Sequence, residues 1–384
     1  MSRSDLLVVA GEASGDLHAA RLLQALNELR PDLRAFGLGS RQLEVAGARL
    51  IAQSDEISVV GISEALAVLK RAKEIFRELL AEVDRVRPAA AVLVDFPEFN
   101  LRLARELKWR GVPVVYYVSP QIWAWRRWRV RSIADTVDRM LVLFAFETAF
   151  YRRHGVPVTH VGHPLVDEVP RLRQAWDDLP RGTLPQRFEI ALLPGSRASE
   201  VESLLGVQLD TLNLLRASLD VGGRLILAPS IPRRSLENEL RRSGLEGIVR
   251  IVESDRLTEV AGSHLAICAS GTATLETGLL GTPLLMVYRL KRWTWRLARL
   301  MVRVPHAALV NLVLEERVVP ELLQGEANAP RIAAEAEKLL RSRVAVDRMR
   351  AGLARLRERL GKPGAAHRAA EEVAALLAER ERAA

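Results

Sequence analysis

The sequence predicts an α/β protein built from two Rossmann-like, doubly wound domains, and three observations predict it. Short apolar runs alternate with helical stretches along most of the 384-residue chain, which is the βαβ pattern of a mostly parallel sheet covered on both faces. A glycine turn follows the first apolar run of each half, at Gly11-Glu12-Ala13-Ser14-Gly15-Asp16 and at Pro194-Gly195-Ser196-Arg197. Between the halves the pattern lapses at 169–187, where Pro170, Pro180, Gly182 and Pro185 stop any helix longer than a turn or two. The chain is long for one core and suits two domains of under about 200 residues each. The predicted division is 1–168, a linker at 169–187, 188–350, and helices over 351–384.

In the first domain, apolar runs at 6–10, 33–38, 90–94, 114–118, 140–144 and 158–161 read as strands. Helical patterns lie between them, such as 65–86, where Leu66, Leu69, Ile75, Leu79 and Val83 recur at helical spacing. Ligands of doubly wound sheets bind beyond the carboxyl ends of the strands. Here those positions are polar or specialised. Gly11 to His18 follow the first strand, and Asp95-Phe96-Pro97-Glu98-Phe99-Asn100 the third. Ser119-Pro120-Gln121-Ile122-Trp123-Ala124-Trp125-Arg126 come after the next, and Phe146-Glu147 and Gly162-His163-Pro164 after the last two. One sheet edge collects them all. The first of these turns is suited to holding an anion or a sugar hydroxyl at a helix N-terminus, although a first βα turn needs glycines for steric reasons as well.

The second series opens with a strand at 188–193 and a helix from Glu200, and continues with strands at 224–228, 249–252, 264–269 and 284–288. Ser270-Gly271-Thr272-Ala273-Thr274-Leu275-Glu276 starts the helix after the fourth of these strands. A cleft is expected between the two domains. Past Arg289 the chain turns helical and basic, with no Asp or Glu between Glu276 and Glu315. Arg292, Arg296, Arg299 and Arg303 share one helical face and Leu290, Trp293, Leu297 and Leu300 another. Such a helix lies in a membrane surface or packs on its own domain. The alanine-rich tail, 330–384, keeps helical spacing at Leu353, Leu356, Val373 and Leu377 and reads as three helices.

The formal charge of +9 calls for an acidic partner, which is nucleic acid, an anionic membrane surface or a phosphorylated substrate. Trp123, Trp125 and Trp128 among Arg126, Arg127, Arg129 and Arg131 form the densest aromatic and basic cluster. It suits base stacking or a lipid interface, and acylated substrates would favour the second. The single Cys268 rules out an intramolecular disulfide and favours a cytosolic setting. Met1-Ser2-Arg3-Ser4-Asp5 carries no signal-peptide pattern, and no apolar run approaches the roughly 20 residues of a bilayer crossing. A soluble or peripheral protein is expected.

Pro194-Gly195-Ser196-Arg197 presents backbone N–H groups, a hydroxyl and a guanidinium together, a set suited to a phosphate or diphosphate. In the second glycine turn, Gly271 allows close approach of a ligand, and Ser270, Thr272 and Thr274 offer hydroxyls. Glu276 is placed to take the hydroxyls of a ribose, or else simply caps its helix. Together the two turns point to a nucleotide with a diphosphate. The chain has no Gly-x-x-x-x-Gly-Lys-Ser/Thr, no Gly-x-Gly-x-x-Gly after either first strand, no zinc-type Cys or His spacing and no Asp-x-Asp. No cofactor or metal is therefore expected, and protein cations and helix dipoles are left to meet the diphosphate charge. Candidates for a general base are Glu12, Asp16, Asp95, Glu98, His18 and His163.

With these residues assembled, the sequence resembles the lipid-A-disaccharide synthases over nearly its whole length. The resemblance rests on Gly11 to Asp16, Tyr117 to Arg126, Val161-Gly162-His163-Pro164-Leu165, Leu193 to Arg197, Ser270 to Glu276 and Pro320-Glu321-Leu322-Leu323-Gln324, in that order. It implies the GT-B arrangement of two facing Rossmann-like domains, with the helical C-terminal segment crossing back to the first domain. It also implies inverting transfer from UDP-2,3-diacylglucosamine to 2,3-diacylglucosamine 1-phosphate, with release of UDP. On this basis Ser196, Arg197, Ser270, Gly271, Thr272, Glu276 and Asn311 hold the donor, and Glu12, Ser14, Asn100, Trp125 and Arg126 lie on the acceptor side. Glu98 is the assigned base, with Asp16 and His18 as rivals. Glu98 stands where the family often has Asp, and Val304 to Val310 replace the usual Leu-Pro-Asn setting before Asn311. The implied location is the cytoplasmic face of the inner membrane, peripheral on an anionic surface, with no nucleic-acid partner. A homodimer with exchanged C-terminal segments is compatible with the long tail. The competing possibilities are another UDP-sugar enzyme of the same fold, such as an epimerase or a transferase with a different acceptor, and a non-catalytic basic scaffold.

Overall fold

The computed structural model describes residues 5–57, 65–180, 183–290, 295 and 304–383. The chain divides into two compact units, Met1–Pro164 with Gly361–Ala384, and Leu165–Leu360. The first carries strands β1 (Asp5–Ala10), β2 (Arg34–Gly39), β3 (Arg49–Gln53), β4 (Ala90–Val94), β5 (Val114–Tyr117), β6 (Arg139–Val142) and β7 (Val158–His160). They form one sheet in the order β3-β2-β1-β4-β5-β6-β7, with every pairing parallel. All five residues of β4 are fully buried, as a strand covered by helices on both faces requires.

The order of strands reverses between β1 and β4, so their carboxyl ends open the crevice where doubly wound sheets bind ligands. Gly37 is obligatory for the β1–β2 pairing. Its φ is +155°, and a Cβ there would stand 1.8 Å from the carbonyl oxygen of Val8. The C-terminal helix Ala365–Ala383 packs on the first helix, Ala13–Leu29. Arg139 on β6 holds Glu372 (2.9 Å) and Glu379 (2.5 Å) of that helix, and Arg368 donates to the carbonyl of Val161 at 2.9 Å.

The second unit carries β8 (Phe188–Leu193), β9 (Val221–Ile226), β10 (Val249–Val252), β11 (Leu265–Ala269), β12 (Leu284–Tyr288) and β13 (Glu321–Leu323). Their order is β10-β9-β8-β11-β12-β13, again with parallel pairings. Its reversal falls between β8 and β11. The two glycine turns predicted to bind a nucleotide are the turns that leave these two strands.

Four features differ from the sequence prediction. β3 and β13 are edge strands of five and three residues with mixed exposure, too short and too polar to read as strands. β9 begins at Val221 because Gly222 and Gly223 lie inside it. A Cβ on Gly223 would meet Val249 and Leu212 at under 3 Å, so the glycines admit neighbouring side chains and do not break the strand. The 169–187 stretch belongs to the second unit and contains a short 3-10 helix, Ala175–Asp178. Its Trp176 is fully buried, with Nε1 donating to the carbonyl of His264 at 2.8 Å. The tail divides at Gly361, not at 351, because Leu353, Leu356 and Leu360 are buried in the second unit. The predicted amphipathic basic helix, 289–303, lies outside the described residues apart from Arg289, Leu290 and Trp295.

Gly37→Ala is expected to abolish the β1–β2 register and destabilise the protein by on the order of 4 kcal/mol or more, the range of severe core defects. Gly111→Ala, at φ +72° with no atom within 4 Å of the added Cβ, should cost about 1–2 kcal/mol from backbone strain alone. Chemical denaturation of the two variants measures the difference.

Candidate active site

At the β8–β11 reversal lies a cavity of about 340 Å³, lined among others by Ser196, Arg197, Arg256, Gly271, Thr272 and Glu276. Gly271 has φ +137°, and nothing stands within 4 Å of where its Cβ would be, so the backbone is open to a ligand at the start of helix Thr272–Leu279. Burial raises the pKa of Glu276, with Arg256 opposing and Glu168 adding to the rise. Its carboxyl is thus a partly desolvated acceptor one turn into that helix. Ser270 Oγ donates to the carbonyl of Ala307 at 3.2 Å. Arg256, which the sequence analysis did not single out, lines the same cavity. Its position just past the carboxyl end of β10 was the available signal.

The Ser196-Arg197 turn is arranged differently from its prediction. The Ser196 and Arg197 N–H groups both donate to Glu200 Oε2, at 3.1 and 3.3 Å, and the Arg197 guanidinium lies 3.4 Å from Glu200 Oε1. The protein's own carboxylate therefore caps this helix N-terminus, where an anion was expected. The Arg197 side chain remains 76% exposed. Asn311 is fully buried, and its amide is spent inside the protein. Nδ2 donates to the Val319 carbonyl and to Glu321 Oε1, while Oδ1 accepts from the Val318 and Val319 N–H groups. Both donors and both acceptor sites are used, so Asn311 serves as a brace and not as a direct ligand. Glu321 also accepts the N–H groups of Ala307 and Ala308, which connects this brace to Ser270.

At the β1–β4 reversal of the other unit, two successive non-glycine residues, Asp95 and Phe96, both take φ +47°. That strained geometry is held from several sides. Tyr116 Oη donates to the Asp95 carbonyl at 2.6 Å, and Asn100 Nδ2 donates to the carbonyls of Val94 (3.1 Å) and Asp95 (2.8 Å). Gly11 makes room for the Phe96 ring, since a Cβ would fall 2.3 Å from it. Asn100 is thus a buried support and not an acceptor contact. Burial and, next, the Glu12 carboxylate push the Asp95 carboxyl up to about 6, against a hydrogen bond from the Phe96 N–H. Glu12 and Ser14 are exposed on the neighbouring turn.

Glu98 is 59% exposed and bonded to two arginines, Arg126 Nη1 at 2.5 Å and Arg129 Nη2 at 2.8 and 2.9 Å. Partial burial opposes them, but the arginines win and hold its pKa below the usual carboxylate value. The Arg126 guanidinium lies 4.1 Å from the Trp125 ring centre, so both join the Glu98 cluster. Asp16 is fully buried and accepts from both the N–H and the hydroxyl of Ser40. It anchors the β2 turn and is poorly placed to take a proton from a substrate. His18 stands edge-on to Tyr117 at 6.2 Å. Burial first, and then the charges of His18 and His160, lower His163 to about 3. Glu147, read from sequence only as a residue following a strand, is fully buried and raised by burial to about 7. It accepts from Ser119 Oγ (2.5 Å), Trp123 Nε1 (2.9 Å) and the Phe144 N–H (3.1 Å), tying two loops of this edge together.

With this geometry in view, the family model described as lipid-A-disaccharide synthetase matches residues 6–373. The chain is 45% identical over 374 residues to the lipid-A-disaccharide synthase of Myxococcus xanthus, covering 97% of each chain. It is 40% identical over 372 residues to that of Syntrophus aciditrophicus, covering 96% of this chain and 97% of the relative. Among solved structures, a Medicago truncatula protein complexed with UDP-glucose aligns with a TM-score of 0.60 at 11% identity over 98% of both chains. The calicheamicin glycosyltransferase aligns at 0.57 and 15% identity over 98% of this chain and 99% of that one. These structural likenesses are of fold. The match to the family model and to the relatives over nearly the full length makes this chain a member of the lipid-A-disaccharide synthase family.

Proposed function

We propose that the chain transfers 2,3-diacylglucosamine from UDP to the 6-hydroxyl of 2,3-diacylglucosamine 1-phosphate in a single inverting displacement. The observation that carries the donor half is the cavity at the β8–β11 reversal, where an open glycine turn and a partly desolvated carboxyl share one wall. In this scheme Glu276 takes the ribose hydroxyls, and the N-terminus of helix Thr272–Leu279 receives the diphosphate. Arg256 and the exposed Arg197 meet its charge, so the protein's own cations stabilise the leaving UDP. Asn311 acts at one remove, through Glu321 and the Ala307–Ser270 contact.

In the displacement the acceptor oxygen forms a bond to the donor C1, the C1–diphosphate oxygen bond breaks, and UDP leaves with the electron pair. The hydroxyl proton passes to a carboxylate of the β4 turn. Glu98, the residue the resemblance assigns, is held anionic by two arginines and is a weak proton acceptor. Asp95 has the better-matched basicity and a rigid mounting, and we assign the proton to it, with Glu98 orienting Arg126 and Arg129. Among the described residues no helix is long and apolar enough to cross a membrane. Acylated substrates and the exposed Trp109 and Trp128 support work at a membrane surface, with the lipid headgroups as anionic partner.

Purified protein given both acylated sugars in detergent should release UDP and form the tetraacyl disaccharide phosphate, read by mass spectrometry. Release of UDP without the acceptor, or no product at all, overturns the reading. Asp95→Asn is expected to lower kcat by about 100-fold or more, the usual share of a general base. A base is active when deprotonated, so wild-type kcat/KM should fall as pH drops below about 6, and the variant should lack that limb. If Glu98→Gln removes the limb and Asp95→Asn keeps it, the base is Glu98. Asn311→Ala should raise the donor KM more than it lowers kcat, as expected of a brace behind the pocket.

A further inference from the structure

Next to the Glu98–Arg129 pair, a groove runs between helices Pro97–Trp109 and Arg129–Thr136 of the first unit. It begins beside Pro97 and Glu98 and comprises two adjoining spaces of about 150 and 580 Å³ that share Arg105, Arg129 and Ser132. Its walls carry Arg102, Arg105, Arg129 and Arg131 against only Glu98 and Asp135. Glu98 is already matched by Arg126 and Arg129. That leaves three guanidinium groups facing one carboxylate.

Their state is unusual for a solvated basic face. Arg105 donates from Nε (3.1 Å) and Nη2 (3.0 Å) to Ser132 Oγ, a neutral acceptor, so its fork is held in place without its charge being cancelled. Among the described residues, the side chains of Arg102 and Arg131 make no hydrogen bond or ion pair to the protein. Leu101 supplies an apolar wall, and the Trp128 ring, 66% exposed, stands at the outer space. One guanidinium fork held in place and two more without an internal partner, around an open space, suit a tetrahedral dianion with several acceptor oxygens. The inner space is lined by Pro97 and Glu98, two and three residues past Asp95 at the start of the helix that follows the β4 turn.

We propose that this groove binds the phosphate monoester of the acceptor sugar, with Arg102, Arg105 and Arg131 as its ligands. The assignment rests on the acceptor reading given above. It gives the enzyme a way to select a phosphorylated acceptor and to hold the acceptor in one orientation at the β4 turn.

The test compares wild type with the Arg102→Ala/Arg105→Ala double variant, full-length and in detergent micelles. The acceptors are 2,3-diacylglucosamine 1-phosphate and its dephosphorylated form. The variant should raise KM for the phosphorylated acceptor by about tenfold or more, the scale of one or two lost charge-assisted hydrogen bonds. Its preference for that acceptor over the dephosphorylated form should fall by the same factor. An unchanged donor KM checks that the fold is intact, and Arg131→Ala should repeat the effect. Unchanged KM and preference overturn the proposal, including the case in which only binding to phosphatidylglycerol vesicles is weakened and the groove serves the membrane instead. Equilibrium binding of the phosphorylated acceptor in the absence of donor separates the two readings. If wild type binds it more tightly than the variant does but makes no disaccharide, the transfer reading fails and the groove stands.

Discussion

The strained turn at Asp95 and Phe96 is the constraint on which the strand reversal of the first unit depends. Two consecutive non-glycine residues at positive φ cost on the order of 1–3 kcal/mol each and persist only where their surroundings over-determine them. Here the surroundings are the Tyr116 hydroxyl, the Asn100 amide and a Gly11 without a side chain. The effect is to leave the Asp95 carboxyl partly desolvated at the strand reversal, beside the Glu12 charge. Raised basicity and fixed position therefore have one cause. The Glu98 carboxylate, three residues further along the same segment, has the opposite fate because it reaches solvent and two guanidinium groups.

The nucleotide-type turns of the second unit obey the same geometry with a different outcome at each. Gly271 leaves a helix N-terminus open, whereas Gly195 leaves one filled by Glu200. Both turns satisfy the sequence pattern for an anion site. Only the side chain that folds back onto the N–H groups separates them, and that depends on a glutamate one turn into the helix. The buried brace of Asn311 and Glu321 shows the same economy at a distance. A carboxamide that cannot reach a ligand still orders the backbone behind Ser270. Glu147 does comparable work in the first unit, where a carboxylate raised by burial holds the Ser119–Trp123 loop through side-chain bonds.

Much of this was legible along the chain. Apolar runs long enough to be buried on both faces, separated by helical spacing, specify parallel βαβ units, and the residues after each run mark the binding edge. Strands β3 and β13 were not legible because polar residues, Arg49 and Gln53 in one and Glu321 in the other, leave apolar runs of only three and two residues. The start of β9 at Val221, ahead of the predicted 224, has a related cause in the pair Gly222-Gly223. A break and a close approach use the same residue, and only the neighbours Val249 and Leu212 distinguish them.

By itself the sequence determined the fold class, the family and the set of turns from which a site is built, because periodicity and motif spacing are local properties of a chain. The tertiary structure decided which members of that set are spent as internal supports, which are neutralised by ion pairs and which stay open to a cavity. Asp16, Asn100 and Asn311 are spent on Ser40, on the Asp95 carbonyl and on the Val318–Glu321 segment. Arg102, Arg105 and Arg131 share one groove only because two helices pack side by side. Hydrogen-bond partners, burial and net local charge arise from contacts between segments far apart in the chain, so they are settled only when the chain has folded.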